Sequence, residues 1–416
     1  MRKDYFWNTL GTSAVAFVSL FLSIAVTRIN GIEVQGIFML CFSFAIVFFM
    51  IGLYGGRIYQ VSDVIGEFDS RTYIFLKFIT SGAMVVTALV FAFANGYDSF
   101  RFALLMSLVV YKMLDAIVDP LYGIMQRNGR LYYAGISMTL KAVIGFAAFI
   151  AVNLLTYNVL YASFCLLGVN VVFILIYDIP RVRRLEKIGH LFKGDLKPGL
   201  VLLKASAYIF AFSLLANLLV NIPRQFMDTF HSEELLGFFN IVIMPATIMN
   251  LFVTFIIQPK LVSLSERFAA LEYSSFNRTV TKLIFLSLGF GVIAIAAAWF
   301  IGVPVLNFIY GVDTSPFRVG LTIAVLAGTI NTITMIYSNI LSIMRRFKIQ
   351  LFNYLVAMAG LIAACLAFVS TGSVDGAIKA FLIANAIQAV LFFITYLVIF
   401  RRVSKICPHK AQQPQQ

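Results

Sequence analysis

Apolar residues run along the chain in twelve long blocks separated by short polar breaks. The blocks fall near 6–27, 34–54, 73–94, 101–122, 131–153, 157–178, 200–221, 236–258, 280–301, 319–341, 350–370 and 377–399. Each holds about 20 residues, the length an α-helix needs to cross roughly 30 Å of hydrocarbon. The runs are too continuous for membrane strands, whose side chains alternate between lipid and lumen. In lipid the backbone must bond within its own segment, which favours helices. The pattern predicts an all-α polytopic membrane protein with twelve transmembrane helices.

Charge adds the orientation. Most of the 32 Lys and Arg residues lie at the N-terminus, the even-numbered connections and the C-terminus. Short basic loops stay cytoplasmic, so both ends are expected inside. Hydrophobic residues make up 61% of the chain, charged residues 12%, and the mean hydropathy is +0.93. A soluble domain cannot hide that much apolar surface. The net charge of +14 would sit where anionic lipids attract it, so it points to membrane lipids and not to nucleic acid.

Several functions lose support. Cys41, Cys165, Cys365 and Cys407 are scattered, which suggests neither disulfide nor metal site. There is no G-x-x-x-x-G-K-[ST] loop and no H-E-x-x-H motif, and the histidines are His190, His231 and His409. The first block lacks a small-residue cleavage site, so no cleavable signal peptide is expected. Outer connections are short, the longest about 16 residues between blocks nine and ten. That weighs against an enzyme acting at the outer face.

The longest polar connection, 179–199, carries six Lys and Arg together with Pro180 and Pro198. It reads as a joint, giving an N-terminal six-helix bundle (1–180), a basic cytoplasmic linker (181–199), a C-terminal six-helix bundle (200–400) and a cytoplasmic tail (401–416). Two echoes suggest duplication. Arg28 followed by Glu33-x-x-Gly36-x-Phe38 matches Arg224 followed by Glu234-x-x-Gly237-x-Phe239. Ile124-Met125-Gln126-Arg127 matches Ile343-Met344-Arg345-Arg346. A plainer reading has Glu33 and Glu234 favouring helix N-termini through the macrodipole. Parallel repeats of six spans normally enclose a central cavity.

Charged residues inside the blocks are the candidate chemistry. Lys112, Asp115 and Asp119 are spaced three and four apart, hence on one helical face. Pro120 follows and should loosen that helix. Lys141 is also expected near the midplane. An unpaired charge there costs at least about 2.5–3.5 kcal/mol, so it must pair or face water. Lys112–Asp115 is either a structural staple or part of a wet site. Lys141 must face Asp115, Asp119 or a cavity. Arg28 and Arg224 interrupt apolar sequence on the outer side, either on an anion path or snorkelling to headgroups. Lys204 is close enough to the cytoplasm to snorkel.

Asn217, Asn240, Asn331, Tyr337 and Asn339 are candidate polar lining, although helix–helix hydrogen bonds would also account for such residues. The expected chamber is cationic and rich in sugar-compatible groups, suited to a substrate with phosphates and hydroxyls. Moving an anion out of an electrically negative cytoplasm gains about 2.3 kcal/mol per charge per 100 mV. Asp115 and Asp119 are candidates for holding a coupling Na⁺ or H⁺; no other cofactor is expected.

Thr27-Arg28-Ile-Asn-Gly31-Ile-Glu33-Val-Gln-Gly36-Ile-Phe38, running on to Gly52 and Gly55, resembles the opening of the Wzx-type polysaccharide flippases. These belong to the multidrug/oligosaccharidyl-lipid/polysaccharide exporter (MOP) superfamily. Ile222-Pro223-Arg224 through Gly237, with Pro245-Ala246 and Gln258-Pro259, resembles the start of that family's second half. The resemblance implies a V-shaped pair of bundles around a central cavity, and alternating access. It implies transport of undecaprenyl-diphosphate-linked oligosaccharide, an O-antigen or exopolysaccharide unit, across the bacterial inner membrane. A polysaccharide polymerase and chain-length machinery would be its protein partners. Arg28 and Arg224 match the family's basic positions; Lys112 and Lys141 match no family motif. The twelve-span layout is expected to set the chain apart from the lipid II flippase branch, which carries two extra C-terminal spans.

Other readings stay open. One is a cation/H⁺ or Na⁺-coupled drug antiporter of the same superfamily, kept alive by Asp115 and Asp119. Another is an envelope polysaccharide polymerase or ligase, disfavoured by the short outer connections. A third is a scaffold, which would not need midplane lysines.

Overall fold

The computed structural model describes residues 2–55, 57, 60, 68–186 and 196–406. Twelve helical segments follow the twelve apolar blocks, and no strand occurs among the described residues. The first five are α1 (Arg2–Asn30), α2 (Ile32–Leu53), α3 (Ser70–Ala94), α4 (Ser99–Arg127) and α5 (Leu131–Thr156). Then come α6 (Val159–Leu185), α7 (Leu196–Phe230), α8 (Glu233–Ala269), α9 (Tyr273–Tyr310) and α10 (Arg318–Ile343). The helical run Phe347–Ile406 breaks at Ser373 (φ 51°, ψ −136°) into α11, 347–372, and α12, 374–406.

Proline explains two irregularities. In α6 a π-helical turn, Ile174–Asp178, sits just before Pro180. In α9 another, Ala298–Gly302, sits just before Pro304. A proline ring clashes with the carbonyl four residues back. The wider π turn makes room for the ring without ending the helix. Block nine therefore does not stop near 301. The helix runs on to Tyr310, and the connection to α10 shrinks to a few residues around Gly311. Pro223 is likewise inside α7, which continues to Phe230.

By internal contacts the chain divides into two units, Met1–Asn221 and Ile222–Gln416. In the first unit α4 is the hub, packing against α2, α3, α5 and α6, while α1 lies along α5 and α2. In the second unit α10 plays the corresponding part, packing against α8, α9 and the α11–α12 run. The fourth helix thus meets several others in each run of six, so polar residues on its packed faces meet protein. The segment of α7 within the first unit packs beside α3, where Leu202 joins Phe68, Tyr73 and Leu76. Tyr54, just past α2, stacks on Phe210 with ring centroids 4.3 Å apart. Much of the connection 181–199 and the end of the tail 401–416, with His190, Cys407 and His409, lie outside the described residues.

Candidate functional site

The first unit contains a charged cavity of about 190 Å³. Its walls come from α1 (Val15, Val18), α2 (Phe49, Leu53), α4 (Tyr111, Lys112, Asp115, Asp119, Tyr122) and α5 (Met138, Lys141, Ala142), with Arg57 beyond α2. The hub helix supplies most of the polar wall because Lys112, Asp115 and Asp119 share one of its faces.

Three ion pairs organise the charges. Lys112 Nζ lies 3.1 Å from Asp115 Oδ2. Asn170 of α6 donates to the other oxygen of Asp115 at 2.8 Å. Around the Lys112 ammonium stand the rings of Tyr111, Phe42 and Phe49, at 4.6, 5.6 and 5.7 Å from their centroids. Lys141 Nζ lies 2.7 Å from Asp178 Oδ2, and donates to the Tyr122 hydroxyl at 3.3 Å. The Tyr122 hydroxyl is 3.0 Å from Ser137 Oγ. Lys77 Nζ lies 3.4 Å from Asp119 Oδ2, and also donates to the Gly52 and Leu53 carbonyls at the end of α2. Thr80 shares the Gly52 carbonyl at 2.8 Å. These lysines are almost wholly buried. Removing one partner of such a pair typically costs about 3–5 kcal/mol, since it strands the other charge.

Arg57 is held differently. Its guanidinium reaches Asp119 Oδ1 only at 3.9 Å and donates to Gln126 Oε1 at 3.2 Å, with its side chain 28% exposed. Gln60 donates to the Pro120 carbonyl at 3.1 Å. Gly123 leaves the space for that amide: a Cβ there would come within 2.1 Å of Gln60 Oε1.

Some sequence expectations meet here and others do not. Lys112, Asp115, Asp119 and Lys141 do line one cavity. The Lys112–Asp115 pair forms as its spacing suggested. Lys141 faces neither Asp115 nor Asp119 as ion partner but Asp178, a residue assigned only to the end of block six. Arg28 is exposed, in the last turn of α1. Arg224 does not sit in an outer connection. It is 5% exposed inside α7, and its Nε donates to Asn240 Oδ1 of α8 at 2.8 Å. Asn331 donates to Asn250 of α8 at 3.0 Å, an interhelical bond. Asn217 and Asn339 bond to carbonyls of their own helices, Ser213 and Met335. Tyr337 packs on Phe393 and Tyr396. The residues the sequence reading missed are Arg57, Lys77, Asn170 and Asp178. A Lys inside block three and an Asp ending block six were the available signals.

No protein-family model matches the sequence, and no curated protein does. Solved structures do match. An inward-facing multidrug resistance MATE family transporter of the MOP superfamily aligns with TM-score 0.71 and 15% identity over 96% of each chain. The lipid II flippase MurJ, in an inward closed conformation, aligns with TM-score 0.71 and 12% identity, covering 98% of this chain and 93% of that one. A MOP superfamily transporter from Pyrococcus furiosus, described as having a binding pocket of reverse polarity, aligns with TM-score 0.63 and 14% identity over 96% of this chain and 95% of its own. The protein is a multi-pass membrane protein with the fold of the MOP-superfamily transporters.

Proposed function

We propose that the chain is a flippase for undecaprenyl-diphosphate-linked oligosaccharide repeat units. It would carry O-antigen or exopolysaccharide units, and so serve lipopolysaccharide or other polysaccharide biosynthesis, from the inner to the outer leaflet of the bacterial cytoplasmic membrane. The observation that carries this reading is a charged cavity within a membrane bundle, lined by three cations (Arg57, Lys112, Lys141) and two carboxylates (Asp115, Asp119), with Lys77 and Asp178 paired to them from behind the lining. The surplus is positive, which suits a pyrophosphate. Likeness to MurJ, a lipid II flippase, supports a lipid-linked substrate. Arg28 and Arg224, with Asn217, Asn240, Asn331, Tyr337 and Asn339, are proposed to line the rest of the substrate path.

A second reading is a Na⁺- or H⁺-coupled drug antiporter. It is favoured by the likeness to a MATE transporter and by Asp115, whose oxygens face a lysine and the Asn170 amide. One experiment separates the two. In a strain lacking the protein, lipid-linked repeat units are expected to accumulate in the inner leaflet, surface polysaccharide to disappear and drug sensitivity to stay unchanged. Normal polysaccharide with heightened drug sensitivity would establish the antiporter. Single units displayed unpolymerised on the outer leaflet would point to a polymerase.

A further inference from the structure

We propose that Arg57 is the anion receptor of the cavity in the first unit, binding a phosphate or pyrophosphate group in exchange for its loose contact with Asp119. Its biological ligand rests on the flippase reading; the preference for Arg57 over the lysines is electrostatic.

Among the described residues around this cavity, each carboxylate already has a close lysine. Asp115 has Lys112 at 3.1 Å, Asp178 has Lys141 at 2.7 Å, and Asp119 has Lys77 at 3.4 Å. With those three pairs assigned, Arg57 is the cation left over. An anion that recruited Lys112 or Lys141 would strand a carboxylate in a low-dielectric interior, which is costly. An anion that recruits Arg57 strands nothing, because Asp119 keeps Lys77.

Accessibility and geometry agree. Arg57 lines the cavity and its side chain is 28% exposed, against 4%, 9% and 10% for Lys77, Lys112 and Lys141. Its second contact, the amide oxygen of Gln126 at 3.2 Å, is neutral and easily replaced by water. Guanidinium presents a planar fork that can hold two oxygens of one phosphate, whereas a lysine offers a point charge. Asp119 is then a competitor for the arginine, a property that predicts opposite effects for neighbouring substitutions.

The test uses the full-length protein in nanodiscs of zwitterionic lipid. Inorganic pyrophosphate and undecaprenyl diphosphate serve as two separate probes. Arg57→Gln is expected to weaken binding of both at least tenfold, and Arg57→Lys by less. Asp119→Asn is expected to tighten binding severalfold. As a control, Arg71→Gln, at an exposed arginine paired with Asp69 outside the cavity, should leave binding within twofold. Monodisperse elution and a single cooperative melting transition confirm that each variant is folded. Should Asp119→Asn unfold the protein, the milder Asp119→Glu, still competing, is expected to bind as wild type does. Wild-type affinity in Arg57→Gln, or weaker binding in a folded Asp119→Asn, overturns the proposal. Binding of neither probe to the wild type also overturns it. Binding of inorganic pyrophosphate alone marks a free-phosphate site: Arg57 stands and the lipid-linked substrate falls. Flipping that survives Arg57→Gln undiminished has the reverse meaning.

Discussion

Lys141 and Asp178 form the shortest of the described ion pairs, at 2.7 Å, and Asp178 has no exposed side-chain surface. Asp178→Asn strands a buried ammonium and is expected to destabilise the protein by about 3–5 kcal/mol. The double change Lys141→Met/Asp178→Leu removes both charges and is expected to recover most of that loss. Melting of the purified variants in detergent compares them directly; equal losses for single and double changes would mean that the pair contributes by packing alone. The arginines separate in the same way. Arg224→Ala leaves the buried amide of Asn240 without the Nε donor it meets at 2.8 Å, so lower yield of folded protein is expected. Exposed Arg28→Ala should keep normal yield, and any loss of export in that strain would be a transport defect. Lys112–Asp115 was legible because both residues sit one turn apart on a single helix. Asp178 was not, because its meaning depends on where α6 places it against α5. A residue at the boundary between an apolar block and a basic segment looks like a loop until packing is known.

Helix existence was legible throughout, since twenty-residue apolar runs admit one physical solution in lipid. Helix ends were not, and proline is the reason. Gly302-Val303-Pro304 and Ile222-Pro223 look like terminators, yet a π turn absorbs the first, and the helix passes through the second. The π turn in α6 also places Asp178 at its last position, opposite Lys141 on α5. Close helix packing was equally hidden. A Cβ on Gly135 of α5 would lie 2.3 Å from the Trp7 carbonyl carbon, and one on Gly11 of α1 would lie 2.5 Å from the Gly135 carbonyl oxygen. Backbone meets backbone there, as small residues allow in membrane bundles. Gly135→Ala is therefore expected to push α1 off α5 and to cost roughly 1–3 kcal/mol, the usual range for overpacking. Gly82→Ala, where a Cβ meets nothing within 4 Å, is the matched control and should melt as wild type does.

For the molecule as a whole, a likeness of TM-score 0.71 persists at 12–15% identity. At that distance what survives is the order and packing of apolar helices, so the fold can be read from hydropathy while the cargo cannot. Cargo depends on the few charges inside the bundle, and their sum decides which force can move it. If the occupied cavity carries a pyrophosphate, about two negative charges cross the field, each worth about 2.3 kcal/mol per 100 mV. Proteoliposomes with a potassium diffusion potential, negative on the side from which the lipid-linked unit starts, should therefore flip it several times faster than those with none. Reversing the potential should slow it by a similar factor, and a proton gradient set at zero potential should change little. Rates that ignore the potential and follow Na⁺ or pH instead would assign the driving role to Asp115 or Asp119. The cavity would then be the seat of a coupling cation, held by the carboxylates against the repulsion of the surplus arginine.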